Sequence, residues 1–236
     1  MKLDMIKMEW LILLKDNLSK DYLPGFPSIS LYQHKKMFRV NTDTSLLGHY
    51  LKVKKGDRVL DIGTNNGALL FYASFYEPSL LVGIDINKDA LEIAKLNLES
   101  NKIENFELVY SNIKDYINEN KFDVIISNPP YFNTKNENLK NNNEYLKMAR
   151  HEEYLLLEDL IKGVATNLKD DGIFYLIHTA PRLKEIKECL NKHNMYVIEY
   201  TKVRDINKDN DHVVLMTISK DANNSCIEKE TIIVKR

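Results

Sequence analysis

Arg58-Val59-Leu60-Asp61-Ile62-Gly63-Thr64-Asn65-Asn66-Gly67 is the stretch from which the rest of the chain can be read. An apolar, β-branched run enters a loop with glycines at 63 and 67, and Ala68 to Tyr76 then has helical character. Glycine in such a turn lets the backbone approach a ligand, and the following helix presents its unpaired N–H groups there. The pattern Gly-x-Gly-x-x-Gly is absent, which disfavours a pyrophosphate cofactor such as NAD. Asp61 stands at the strand end, where a carboxylate can accept from a cationic or hydroxyl-bearing ligand.

Downstream, the same unit recurs. Leu80 to Ile84 reads as a second strand ending in Asp85, with a helix from Asn87 through Asn97. An acid in this place can take both hydroxyls of a ribose. Each acid alone is equally a helix cap, but on consecutive strand–helix units they favour an adenosine-containing ligand. Phe106 to Tyr110 gives a third strand with Asn112 just past it, where an amide can reach a base edge. The fourth, Phe122 to Ser127, stops at Asn128-Pro129-Pro130-Tyr131 because proline cannot continue a strand ladder. A residue before proline is held extended, so the Asn128 carboxamide oxygen and the Pro129 carbonyl form a pair of acceptors suited to a planar NH2 group. Tyr131 offers a ring to stack on whatever carries that amine. Without the upstream strands, the same residues would be an ordinary proline-rich turn.

The remaining segments complete a seven-stranded, doubly wound α/β sheet. A helix is expected over Leu156 to Leu168, strand five over Gly172 to His178 and a helix over Arg182 to His193. Tyr196 to Val203 and Val213 to Ser219 read as an antiparallel closing pair, and Thr231 to Val234 as a last strand. Residues 1–45 are expected to form an N-terminal arm on a domain spanning 46–236. In that arm a helix over Met5 to Leu18 is broken by a loop, Pro24-Gly25-Phe26-Pro27. Leu31 to Val40 then runs extended to a helix capped by Thr42 or Asp43 and carrying Leu46, Leu47 and Tyr50. The segment Asn133 to Met148 is polar, Asn-rich and long for a connection, which suggests a functional lid or a disordered stretch.

Composition narrows the classes. The chain has 236 residues, 44% hydrophobic and 28% charged, enough for one large α/β domain. Its formal net charge of −1 does not announce a nucleic-acid binder, so any such role must rest on a local patch. No apolar run is long enough to span a bilayer, and the N-terminus lacks the features of a signal peptide. Two cysteines, Cys189 and Cys226, form no framework, which points to a reducing cytoplasm. His49 and His178 lack metal-ligand spacing, and no metal is expected. A monomer is favoured, with the oligomeric state open.

Asp61-x-Gly63-x-x-x-Gly67, Asp85, Asn112 and Asn128-Pro129-Pro130-Tyr131 together resemble S-adenosylmethionine-dependent methyltransferases that act on amino nitrogens. Phe132, the run Asn142 to Glu152 containing Ala149-Arg150-His151-Glu152, and Leu157-Glu158-Asp159 narrow the resemblance to bacterial valine-tRNA (adenine-37, N6)-methyltransferases. Gln33 to Leu47, the Gly172 strand and Pro181-Arg182-Leu183 also match. The resemblance implies S-adenosylmethionine as cofactor, Asp61 and Gly63 near its methionyl end, Asp85 on the ribose and Asn112 near the adenine, where most relatives carry aspartate. Gln33, Phe38, Asp43, Thr64, Gly67, Ile86, Ile113 and Asn128 complete the expected cofactor set. Asn128, Pro129, Pro130 and Tyr131 are the expected catalytic group. The implied partner is tRNA, with Lys35, Lys36, Arg39, Phe132, Arg150, His151, Arg182 and Arg204 as its candidate contacts. Arg150 and His151 fit a helix start paired with Glu152 and Glu153 equally well. Competing activities are N5-methylation of a protein glutamine, N6-methylation of adenine in DNA, and a noncatalytic adenosine-ligand or RNA-binding module.

Overall fold

The computed structural model of the protein describes residues 17–130, 157–223 and 225–235. Its first element is a hairpin of β1 (Leu18–Leu23) and β2 (Phe26–His34), where the sequence suggested a helix ending at Leu18 and a chain-breaking loop. Residues 5–16 of that expected helix lie outside the described residues. Leu23 pairs directly with Phe26, leaving Pro24 and Gly25 as the whole connection. Proline presets the first turn position and Gly25, at φ 87°, takes the left-handed second one, so Pro-Gly joins the strands. Phe26 and Pro27 belong to β2.

Helix α1 spans Thr42–Tyr50 and is capped by Asn41, one residue before Thr42 and two before Asp43, the expected caps. A cap must lie outside the helix in extended geometry and reach the N–H three residues on. Asn41 does so at φ −129°, ψ −177°, whereas Thr42 and Asp43 are already helical.

The sheet that follows is built from β3 (Arg58–Ile62), β4 (Leu80–Asp85), β5 (Phe106–Tyr110), β6 (Phe122–Ser127), β7 (Leu168–Thr179), β8 (Tyr196–Asp205) and β9 (Asp211–Ser219). Helices α2 (Ala68–Ser74) and α3 (Lys88–Ser100) make the crossovers after β3 and β4. Helix α4 (Leu157–Asn167) precedes β7, and α5 (Leu183–Lys192) follows it after a 3-10 turn at Ala180–Arg182. Strand order is β5-β4-β3-β6-β7-β9-β8, parallel except for β9, which runs against both neighbours. This is the expected seven-stranded core. Two short strands, β10 (Ile227–Glu228) and β11 (Ile232–Val234), pair parallel with the outer edge of β8 and widen the sheet to nine.

Both faces of the central strands are buried, which is why they read as nearly continuous apolar runs. Alternation sorts the side chains. Val59, Leu81, Val124 and Ile126 pack with α1, α2 and the hairpin, while Leu60, Ile62, Val82, Ile84 and Ile125 pack with α4 and α5. Asp61, flanked by Leu60 and Ile62, therefore turns toward the α1 and α2 layer. Chain order leaves β3 in one direction toward β4 and β5 and resumes on its other side at β6. A switch point of this kind opens a crevice at the carboxyl ends of the strands. Among the described residues no helix is long and apolar enough to cross a membrane.

Candidate active site

Register brings the strand ends to one level. Asp61 pairs with Gly83, Asp85 with Tyr110, and Ile62 with both Ile84 and Ser127. Asp61, Asp85, Asn112 and Asn128 thus gather along one edge, as their positions after successive strands predict.

The loop between β3 and α2 is tied to β4, because Gly63 N–H and Thr64 N–H both donate to the Ile84 carbonyl, at 2.9 and 3.0 Å. Gly63 has φ 73° and faces open space, so a side chain there would be strained and would project into the crevice. Gly67 is also left-handed, at φ 79°, and an added Cβ would in addition lie 3.3 Å from Ala94 Cβ, where α2 starts against α3. Sequence reasoning missed Gly83. A Cβ there would sit 2.8 Å from Thr64 Cγ2 and 2.9 Å from Leu108 Cδ2, so the loop lies over a glycine without having to shift. A glycine inside an apolar strand was the signal that could have found it.

Asp61 is fully buried, and neither carboxyl oxygen has a hydrogen-bond partner. Burial pushes its pKa up to about 7, with the Asp85 charge adding to the rise and the neighbouring Thr64 hydroxyl opposing it. Thr64 Oγ1 and Asn66 Nδ2 are also buried without partners. Even with the Thr64 hydroxyl near enough to Asp61 to draw its pKa down, buried polar atoms lacking ordinary hydrogen bonds at one strand end and its loop are costly unless a ligand satisfies them. Asp85 accepts from Asn65 N–H at 2.8 Å and Asn87 N–H at 2.9 Å, and burial raises its pKa despite those bonds. Asn65 also donates through Nδ2 to the Phe38 carbonyl at 2.6 Å. That bond sets the exposed Phe38 ring beside the Gly-rich loop, and Ile86 is exposed after Asp85.

Other candidates are placed differently. Both ends of the Gln33 carboxamide bind the chain itself: Nε2 donates to Asp21 at 2.8 Å and Oε1 accepts from Val40 N–H at 2.6 Å. It fastens the turn that carries Lys35 to Arg39. Asn112 Oδ1 accepts from Lys114 N–H at 3.0 Å and builds the loop after β5. Ile113 is core, packed so closely on Gly163 of α4 that a Cβ there would come within 2.3 Å of it. Asp43 is buried in the first turn of α1.

At the end of β6, Asn128 is half-buried and Pro129 buried. Asn128 Nδ2 donates to Thr44 Oγ1 at 3.2 Å, joining the strand end to α1. Tyr131, Phe132, Arg150, His151 and the Asn133 to Met148 segment lie outside the described residues. Of the basic candidates, Lys35 and Lys36 are exposed on the turn after β2. Arg39 pairs with Asp21, Arg182 with Glu185 and Arg204 with Asp211. His178 is buried, accepts from Thr179 N–H at 2.8 Å, and has its pKa lowered to about 4, chiefly by burial. Its ring is therefore neutral near pH 7. Among the described residues no group of three or more His, Cys, Asp or Glu side chains could hold a metal ion.

Residues 30–152 match the family model described as "Methyltransferase small domain". The chain is also 32% identical over 211 residues to a tRNA1(Val) (adenine(37)-N6)-methyltransferase of Bacteroides thetaiotaomicron, covering 88% of this chain and 87% of that protein. The chain belongs to that methyltransferase family. Similarity extends to a protein of the same name from Pedobacter heparinus, 32% identical and covering 72% of this methyltransferase and 71% of the relative. Solved structures share the fold of the methyltransferase. The ribosomal protein L11 methylase of Lactobacillus delbrueckii subsp. bulgaricus aligns with a TM-score of 0.54 at 20% identity, over 75% of this chain and 76% of that one. Trm5b of Pyrococcus abyssi aligns at 0.60 and 16% identity, over 86% and 56%.

Proposed function

We propose that this methyltransferase transfers a methyl group from S-adenosylmethionine to the exocyclic N6 of adenine 37 in tRNA1(Val). The observation that carries the reading is the junction of two features in one crevice: the orphaned Asp61 carboxyl under the Gly-rich loop, and the Asn128-Pro129 acceptors one strand away. The residues fit the cofactor. Asp61 offers unsatisfied acceptors for the cationic methionyl end, Gly63 leaves room for it, the remaining lone pairs of Asp85 would take the ribose hydroxyls, and Phe38 and Ile86 offer apolar surface for a base. When bound, S-adenosylmethionine supplies an electrophilic methyl on a sulfonium.

The chain's own part is to prepare the amine. The N6 lone pair of adenine is delocalised into the ring and attacks poorly while the group stays planar. Asn128 Oδ1 and the Pro129 carbonyl would each accept one N–H, favouring tetrahedral nitrogen and dispersing the positive charge that grows on it. Fixing the amine in line with the methyl supplies much of the remaining rate. No strong base is required until transfer is complete. The adenine must leave its stack to reach the crevice.

Labelled-methyl transfer to total tRNA, total DNA and a release factor tests the reading. Label in N6-methyladenosine of tRNA alone is expected. Label in protein glutamine or in DNA would replace it with one of the competing activities.

A further inference from the structure

We propose that Thr44, held in turn by Asn41, is a positioning residue that fixes which end of the Asn128 carboxamide faces the target amine. The inference rests on the methyl-transfer reading above and assigns the control of its acceptor to a different element, the N-terminus of α1.

Donor and acceptor roles run in one direction along this chain of bonds. Thr44 N–H donates to the Asn41 side chain at 2.9 Å. A backbone N–H can only donate, so the atom it reaches must be the carbonyl oxygen of that amide. The Thr44 hydroxyl donates its single hydrogen to the same oxygen at 3.1 Å. Thr44 Oγ1 therefore has only lone pairs to offer Asn128, and the Asn128 atom 3.2 Å away must be Nδ2. The carboxamide oxygen is turned to the other side. Reversed, the same side chain would set N–H groups against an incoming NH2, donor against donor.

The relay acts on the freedom that the sequence leaves open. Pro129 restrains the Asn128 backbone, but nothing in Asn-Pro-Pro decides the two-fold rotation of the carboxamide. Thr44 is rigid enough to decide it. It lies in the first turn of a capped helix, and that helix is pressed on α2 so tightly that a Cβ on Gly48 would fall 2.3 Å from the Tyr72 ring. Helix α2 is the one that begins at the Gly-rich loop. The acceptor and the cofactor loop thus share one support.

Thr44→Val tests the relay cleanly, because the cap bond from the backbone N–H of residue 44 to Asn41 is retained and only the hydroxyl is removed. Single-turnover N6-methylation of tRNA should fall about tenfold, the scale of one orienting hydrogen bond. Affinity for S-adenosylhomocysteine and the thermal midpoint should stay near wild type. Thr44→Ser and Asn41→Asp, which keep the needed acceptors, should recover the rate to within about twofold. In an Asn128→Ala background Thr44→Val should cost nothing more, since coupled residues are non-additive. A Thr44→Val rate equal to wild type, or a loss that persists in the Asn128→Ala background, would overturn the inference while leaving the methyl-transfer reading intact. If wild type methylates no adenine in tRNA, that reading fails, and the Asn128 side-chain amide resonances decide the relay separately. They should move in Thr44→Val and not in Thr44→Ser; no movement in either overturns it.

Discussion

Asp61 keeps both carboxyl oxygens out of water without a hydrogen-bond partner, and its pKa rises from 3.8 to about 7 on burial. The sign of the consequence follows from proton counting. Between those values the folded protein holds a proton that the unfolded chain has released, so stability falls as pH rises from about 4 to 7. Asp61→Asn mimics the protonated carboxyl at every pH. Its thermal midpoint in ligand-free protein should vary less between about pH 4 and 8 than wild type's, while its affinity for S-adenosylhomocysteine should be lower. Equal pH dependence in the two proteins would show that Asp61 is ionised throughout. Single acids at strand ends were legible because strand, glycine turn and helix are local patterns. Gln33 shows the limit: its position in the chain was suggestive, but the two bonds its carboxamide makes are to Asp21 and Val40, which a linear reading does not bring together. Thr44 was invisible for the same reason, its partner Asn128 lying far along the chain.

The elements were readable wherever their period was long and both faces were covered. Strands β3, β4, β5 and β6 fell where their apolar runs predicted, and helix ends moved by a few residues as caps dictated. The hairpin was missed because Pro-Gly punctuates a broken helix and a two-residue turn alike, and β1 is only half-buried. Strand β11 falls within the last strand expected over Thr231 to Val234, whereas β10 is two exposed residues added to the edge of β8, too short for any periodicity to announce it. Packing between elements gives the sharper prediction. Gly83→Ala places a methyl between Thr64 and Leu108 and should destabilise the fold by about 1–3 kcal/mol, the usual cost of overpacking. Denaturant melts with and without S-adenosylhomocysteine would show the loss, and ligand affinity should fall with it because the Thr64 loop is displaced. Unchanged stability would mean that the loop has room to shift.

For the whole molecule, a net charge of −1 leaves RNA binding to local groups. Arg39, Arg182 and Arg204 each already face a carboxylate; Lys35 stands exposed on the turn fastened by Gln33, and Lys36, which has an interaction of its own, is exposed beside it. Replacing both lysines with glutamine should weaken tRNA binding and flatten its salt dependence by roughly 0.7 to 0.9 for each phosphate no longer neutralised. Arg204→Gln should do less. Salt slopes that do not change in the lysine variant would remove that turn from the RNA track. Above all stands the transfer proposed for the end of β6. Its most direct measurement is nucleoside mass spectrometry of tRNA1(Val) from cells lacking the gene and complemented with wild type or Asn128→Ala. Wild type should restore N6-methyladenosine at position 37, and Asn128→Ala should do so with a single-turnover rate lower by about a hundredfold, as when one oriented transition-state partner is removed. N6-methyladenosine at full level without the gene, or a wild-type single-turnover rate in Asn128→Ala, would contradict it.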